Sequence, residues 1–156
     1  MDDLLKFIPF ESQHSNKFKS LNVEWLKSFF VVEPYDELVL SNPIEQIIDR
    51  GGYIFMVIHK RKIIGTFAFI KKEHSVYEFS KMAITPNQRG KGFGNQIVQF
   101  VIRFAEQYNW NKLILYSSTL LENSIHLYRK YGFIEVPIDP DIKYARGNIK
   151  MAIDFK

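Results

Sequence analysis

The chain of 156 residues contains no cysteine. Disulfide staples, thiolate metal centres and a cysteine nucleophile are excluded together. Any acyl transfer must use another nucleophile or pass the group directly. Long apolar runs are missing too. No stretch approaches the ~18 apolar residues that span a bilayer, so no membrane partner is expected. The start, MDDLLKFIPFESQ, places acidic residues before a short apolar run, unlike a secretory signal. The expected compartment is the cytoplasm. Repeats, low-complexity tracts and linkers are absent, so residues 1–156 are read as one domain. That length buries about two thirds of the unfolded surface without staples.

Other chemistries are weakly furnished. His14, His59, His74 and His126 share no metal-ligand spacing, so they are read as surface residues and no metal is expected. Ser117 and Ser118 have no base beside them, which leaves a hydrolase triad unsupported. The net charge is +4, with small basic clusters at Lys60-Arg61-Lys62, Lys71-Lys72 and Arg129-Lys130. Nucleic acid would call for a more concentrated basic stripe. The scattered charge reads as a solvated surface, or as a field that attracts a polyanionic ligand.

What is present organises well. Phe7 to Phe10 reads as an edge strand, and Phe18, Leu21, Trp25, Phe29 and Phe30 recur at helical spacing from about Asn16 to Phe30. Asn42-Pro43-Ile44-Glu45 reads as a capped helix start, with Asn42 as cap and Glu45 closing a box, and Arg50-Gly51-Gly52 ends that helix. Tyr53–His59, Ile63–Lys71 and Val76–Thr85 then read as an antiparallel meander. After Gly94 a long amphipathic helix runs to about Asn109, with Ile97, Val98, Val101, Ile102 and Ala105 on one face. Lys112–Ser117 is a short apolar strand. Thr119 to Glu122 reads as a capping box opening a further helix that ends at Tyr131-Gly132. Phe133–Ile138 and Ile149–Phe155 are the last strands. The alternation implies a parallel β-α-β unit after the meander, hence a mixed α/β sheet.

The junction Gln88-Arg89-Gly90-Lys91-Gly92-Phe93-Gly94 carries the chemistry. Alternate glycines let the backbone approach a ligand and turn N–H groups toward it. The helix start adds its positive dipole end, so the loop suits a phosphate or pyrophosphate. A Walker loop needs Ser or Thr after Lys91, and Gly92 stands there. A Rossmann fingerprint needs glycine at 95, and Asn95 stands there.

Arg89-x-x-Gly92-x-Gly94 instead resembles the pyrophosphate loop of the GCN5-related N-acetyltransferases. The preceding strand, Glu78-Phe79-Ser80-Lys81-Met82-Ala83-Ile84, resembles the central strand of that superfamily. Asn123 through Leu127-Tyr128 to Gly132-Phe133 resembles its other signature, in the same order and at a similar gap. The similarity is strongest over residues 53–138. Asn22 to Trp25, Val32 to Pro34 and Tyr144 to Met151 also resemble bacterial members.

The resemblance implies acetyl-coenzyme A as cosubstrate and direct transfer to an amine through a ternary complex. It implies coenzyme contacts from Met82, Ala83, Ile84, Arg89, Gly90, Lys91, Gly92, Phe93, Gly94, Asn95, Asn123 and Tyr128. Tyr128 is the implied acid for the leaving thiolate, Glu78 the implied base, and the Met82 backbone N–H, freed by a strand bulge, the implied oxyanion donor. Tyr116 and Tyr131 are read as packing residues. The acceptor, a small-molecule or peptide amine or a protein lysine, is expected among Trp25, Phe29, Glu33, Tyr35, Asp36, Asp139, Asp141 and Tyr144. Aromatics with carboxylates suit a cationic amine. Lys81, inside a central strand, has no role in this scheme. A homodimer is compatible with the sequence, and a coenzyme A sensor without turnover is the rival reading.

Overall fold

The computed structural model describes residues 3–141 and 145–156. Seven strands form one sheet in the order β1-β2-β3-β4-β5-β7-β6. These are β1 (Lys6–Pro9), β2 (Tyr53–His59), β3 (Lys62–Glu73), β4 (Val76–Ile84), β5 (Lys112–Ser117), β6 (Ile134–Val136) and β7 (Ile149–Asp154). The helices are α1 (Ser15–Phe29), α2 (Pro34–Ser41), α3 (Phe93–Gln107) and α4 (Glu122–Lys130).

Strands β1 to β4 pair antiparallel in succession. Lys60 and Arg61 turn β2 into β3 with positive φ angles of 49° and 70°, the handedness that matches strand twist in a tight hairpin. The crossover through α3 makes β4 and β5 parallel. β7 then inserts antiparallel between β5 and β6, so those two strands run parallel without pairing.

Each face of the sheet has its own core. Phe55, Phe67, Phe69 and Phe79 pack under α3 and α4 with Ile97, Val98 and Val101. Ile54, Met56, Ala68 and Ala83 pack under α1 and α2 with Phe18, Leu21 and Leu40. Strand alternation sorts the residues between the two, and each fully buried side chain contributes about 1.5–3 kcal/mol relative to exposure.

Several local readings change. Pro34–Ser41 is a helix that the apolar spacing does not announce. It starts with Glu33 and Asp36 capping each other reciprocally and Pro34 in the first turn. Asn42 ends that helix instead of starting the next, its side-chain amide donating to the Leu38 carbonyl. Ile44–Ile48 is a π-helical turn without a side-chain cap. Thr119 does not cap α4. Its backbone N–H and hydroxyl both bond Asn148, and the helix starts three residues later. His14 and His59 are buried rather than exposed. His14 accepts a bond from the Glu11 N–H, and His59 packs on Phe93. The last strands are shorter than expected.

Candidate active site

The parallel pair is incomplete, and the site follows from that. β4 and β5 are in register only over Val76–Glu78 and Lys112–Ile114. Beyond Glu78, β4 continues along β3 while β5 continues along β7. The two strands part like a wedge, leaving the facing backbone edges of Phe79–Ile84 and Leu115–Ser117 without each other. A cleft of about 640 Å³ fills the wedge, within the usual range of ligand sites. An extended chain with amide groups can pair with such an edge as an added strand.

A bulge shapes the β4 edge. Thr66 pairs with Ala83 and Ala68 with Ser80, so Lys81 and Met82 together oppose Phe67. Lys81 has φ +57°, a left-handed conformation that costs a non-glycine residue energy and clusters at functional positions. Strand parity shifts across it. Tyr77 and Phe79 face the α3 side before the bulge, and Met82 and Ile84 do so after it, while Ala83 faces the α1 side. The extra residue, Lys81, faces the cleft.

At the far end stands the glycine loop. Gly92 has φ +79° and immediately precedes α3, so a side chain there would strain the turn that aims the helix start. Gly94 lies close to its neighbours: an added Cβ would come within 3.0 Å of Leu127 and 3.9 Å of Met82. The loop, α4 and the bulge are thereby held in one packing unit. The geometry fits a coenzyme with a pyrophosphate and a pantetheine arm, the first at the α3 N-terminus and the second along β4.

Most of the expected coenzyme residues meet here. Met82, Ala83, Ile84, Arg89, Gly90, Asn123 and Tyr128 line the cleft. Lys91, Gly92, Phe93, Gly94 and Asn95 do not; the Phe93 ring is core, 3% exposed, so only its backbone can serve a ligand. The Asn95 carboxamide oxygen is taken by the Tyr131 hydroxyl and the Lys130 ammonium. Arg89 turns to α1, where it donates to the Ile84 carbonyl, pairs with Glu24 and lies 5.4 Å from the centre of the Phe29 ring. Tyr128 packs against Phe79 and Phe133, and burial pushes its phenol up to about 12. It therefore keeps its proton across the neutral range.

The acceptor side departs further from expectation. Trp25 and Phe29 line the cleft from α1, and Asp36 reaches it from α2. Glu33 and Tyr35 do not line it, and Tyr144 lies outside the described residues. The carboxylates are already engaged. Asp36, 1% exposed, receives both arms of the Arg146 guanidinium at 2.7 and 2.9 Å. Glu33 accepts from the same guanidinium at 3.2 Å. Glu78 stands 3.6 Å from the Lys72 ammonium. Asp139 accepts from Tyr116 and Lys150, contacts that hold its carboxyl below the usual range. Desolvation, and after it the hydrogen bond to Asp139, pushes the Tyr116 phenol well above its ordinary value. Arg146 and Tyr116 are thus site residues that motif reading passes over. The Glu33-Pro34-x-Asp36 pattern could have exposed the helix that presents Asp36, whereas nothing local announces Arg146.

The family follows from this chain's own match. The acetyltransferase (GNAT) family description matches residues 18–133. The chain belongs to that family. An uncharacterized N-acetyltransferase of Bacillus subtilis, YvbK, is 26% identical over 112 residues, covering 70% of this chain and 72% of that protein. Among solved structures, a GNAT-family acetyltransferase from Staphylococcus aureus Mu50 superposes with a TM-score of 0.84 at 17% identity, covering 98% of this chain and all of that one. A spermidine N-acetyltransferase from Vibrio cholerae, solved with CoA and spermine, superposes with a TM-score of 0.74 at 23% identity over 98% and 96% of the two chains. Those two likenesses carry the fold. No helix among the described residues is long and apolar enough to cross a membrane, and no cluster of metal-binding side chains occurs among them.

Proposed function

We propose that this protein transfers the acetyl group of acetyl-coenzyme A directly to the amine of a small molecule, in a ternary complex. The observation that carries the reading is the wedge between β4 and β5, with the bulged Lys81-Met82 on one wall and the Tyr128 phenol on the cleft lining. The Vibrio cholerae relative, solved with CoA and spermine, supports a small-molecule acceptor and the coenzyme together.

In this reading the coenzyme supplies an activated acetyl thioester. Residues Met82 to Ile84 hold its arm, the α3 start its pyrophosphate, and Asn123 the region between. The Met82 N–H donates to the acetyl oxygen as charge builds there. Tyr128 donates to the departing sulfur, a role its raised pKa permits because the proton stays on until it is needed. Glu78 provides the carboxylate on the acceptor side. Trp25 and Phe29 offer an apolar wall to the acceptor's carbon skeleton. The engagement of Glu33 and Asp36 by Arg146 argues against using them as free anions for a second cationic group.

The test is a turnover screen of amines at saturating acetyl-CoA, read as release of the coenzyme thiol. Amine-dependent release is expected. Coenzyme binding with no turnover of any amine would favour the sensor reading instead.

A further inference from the structure

We propose that Lys81, not Glu78, takes the proton from the acceptor ammonium, with Glu78 acting as its counter-charge. The inference rests on the acetyltransferase reading above.

The geometry is particular to the bulge. A residue at position 81 in a regular strand would share the face of Tyr77 and Phe79 and enter the phenylalanine-rich core under α3. The extra residue breaks that alternation, and Lys81 faces the cleft with its peptide bonded directly to the Met82 nitrogen. Its amine therefore belongs to the residue next to the proposed oxyanion donor. Glu78 lies four positions away along the strand, roughly 13 Å of extended backbone before the bulge shortens it, and a lysine ammonium already stands beside it.

The surroundings decide the protonation state. Desolvation in the cleft disfavours the ammonium, and the positive charges of Arg146 in the segment before β7 and Lys72 at the end of β3 disfavour it further. Glu78 on β4 itself and Asp36 on α2 favour it. Desolvation is the largest of these effects, and the amine is pushed down from 10.5 to about 8. A half-buried lysine desolvated and shifted in this way can serve as a base.

The step balances. An N–H bond of the acceptor ammonium breaks and its proton bonds to the Lys81 lone pair. The freed nitrogen lone pair attacks the thioester carbonyl, the C–N bond forms and the C–S bond breaks. Sulfur takes the Tyr128 proton, and the second proton lost by the nitrogen restores the phenol. Lys81 then releases its proton to water. The products are amide, thiol and one proton.

The experiment measures kcat from pH 6 to 10 with saturating acetyl-CoA and the best alkylamine from the screen. Wild type should rise through an apparent pKa near 8. Lys81→Met and Lys81→Arg should lose about a hundredfold at pH 7.5, the lower end for acid–base catalysis. Both should recover only as the acceptor's own ammonium deprotonates near pH 10, while coenzyme affinity changes less than threefold. Glu78→Gln supplies an independent arm that leaves Lys81 in place. Removing the negative charge should lower the Lys81 pKa, so the rising limb of the pH profile should move below 8. A collapse of Glu78→Gln rescued by high pH, or a Lys81→Met profile matching wild type, would overturn the proposal while leaving the acetyltransferase reading standing. Wild type that turns over no amine would overturn both.

Discussion

The two ends of the cleft are built from different materials. The proposed coenzyme end is mostly backbone: a left-handed Gly92, the start of α3 and the edge of Phe79–Ile84 that β5 leaves. The proposed acceptor end is mostly side chains in ion pairs between segments far apart in the chain, Asp36 with Arg146 at a separation of 110 residues. Backbone donors need no particular side chain beyond glycine, so a short motif carries them. Ion pairs across the fold leave no local pattern. The contrast predicts that a single residue in the loop controls coenzyme binding, while the acceptor end answers to pairs.

The largest effect should come from the loop. Gly92→Asp places a side chain at φ +79° and a carboxylate where a pyrophosphate is proposed. Left-handed strain of roughly 1–2 kcal/mol and charge repulsion together should weaken acetyl-CoA binding by about a thousandfold, measured by calorimetry. Unchanged affinity would break the comparison, because the backbone loop would then not be the coenzyme end.

Next comes the acceptor end. Arg146→Met removes the partner of Asp36, which is 1% exposed. An uncompensated buried carboxylate costs about 3 kcal/mol or more, so chemical denaturation at pH 7 should show a loss of that order. Asp36→Asn in the same chain should restore part of it, since the orphaned charge is then gone. Equal losses in the single and double variants would mean that the pair does not act as a unit.

How much was legible divides along the same line. The order of strands and helices from Tyr53 onward was readable because apolar periodicity and the glycine loop are local signals. The bulge at Lys81-Met82 came only through the family resemblance, since a misplaced lysine is its sole local trace. The second helix was hidden because Pro34–Ser41 is short and its start is capped by Glu33, an unusual cap. The burial of His59 was missed because Phe93, distant in the chain, packs on it, and that of His14 because its partners Glu11 and Phe10 meet it only once the turn has formed. The pairing of the carboxylates expected around the acceptor was hidden too, because Arg146 approaches Glu33 and Asp36 only in the folded chain.

Within the proposed chemistry, Tyr128→Phe keeps the ring that packs on Phe79 and Phe133 and deletes the proton. Coenzyme affinity should hold, and turnover should fall by roughly a hundredfold at neutral pH. The wild-type phenol stays protonated to about 12, so the donor itself sets no limb below that. The deficit should shrink as pH rises past the thiol range near 8.5, where the leaving group needs no proton. Full activity in the variant would leave the coenzyme end intact but move the acid to water or another residue.

The smallest effect tests whether the two ends are separate at all. Arg89 belongs to the loop, yet its guanidinium pairs with Glu24 on α1 and lies over Phe29, which lines the acceptor side. If Arg89 also serves a phosphate, Glu24 competes with that ligand. The pair is partly exposed, at 25% and 41% for the two side chains, so its strength is discounted to ~1 kcal/mol or less. Glu24→Gln should therefore tighten acetyl-CoA by no more than about fivefold, and the gain should shrink in high salt as the competing attraction is screened. Thermal stability should change little, because exposed pairs contribute little to folding. A weaker affinity in Glu24→Gln would reverse the argument: Glu24 would then be orienting Arg89 toward its ligand, and the acceptor helix would be helping to build the coenzyme site.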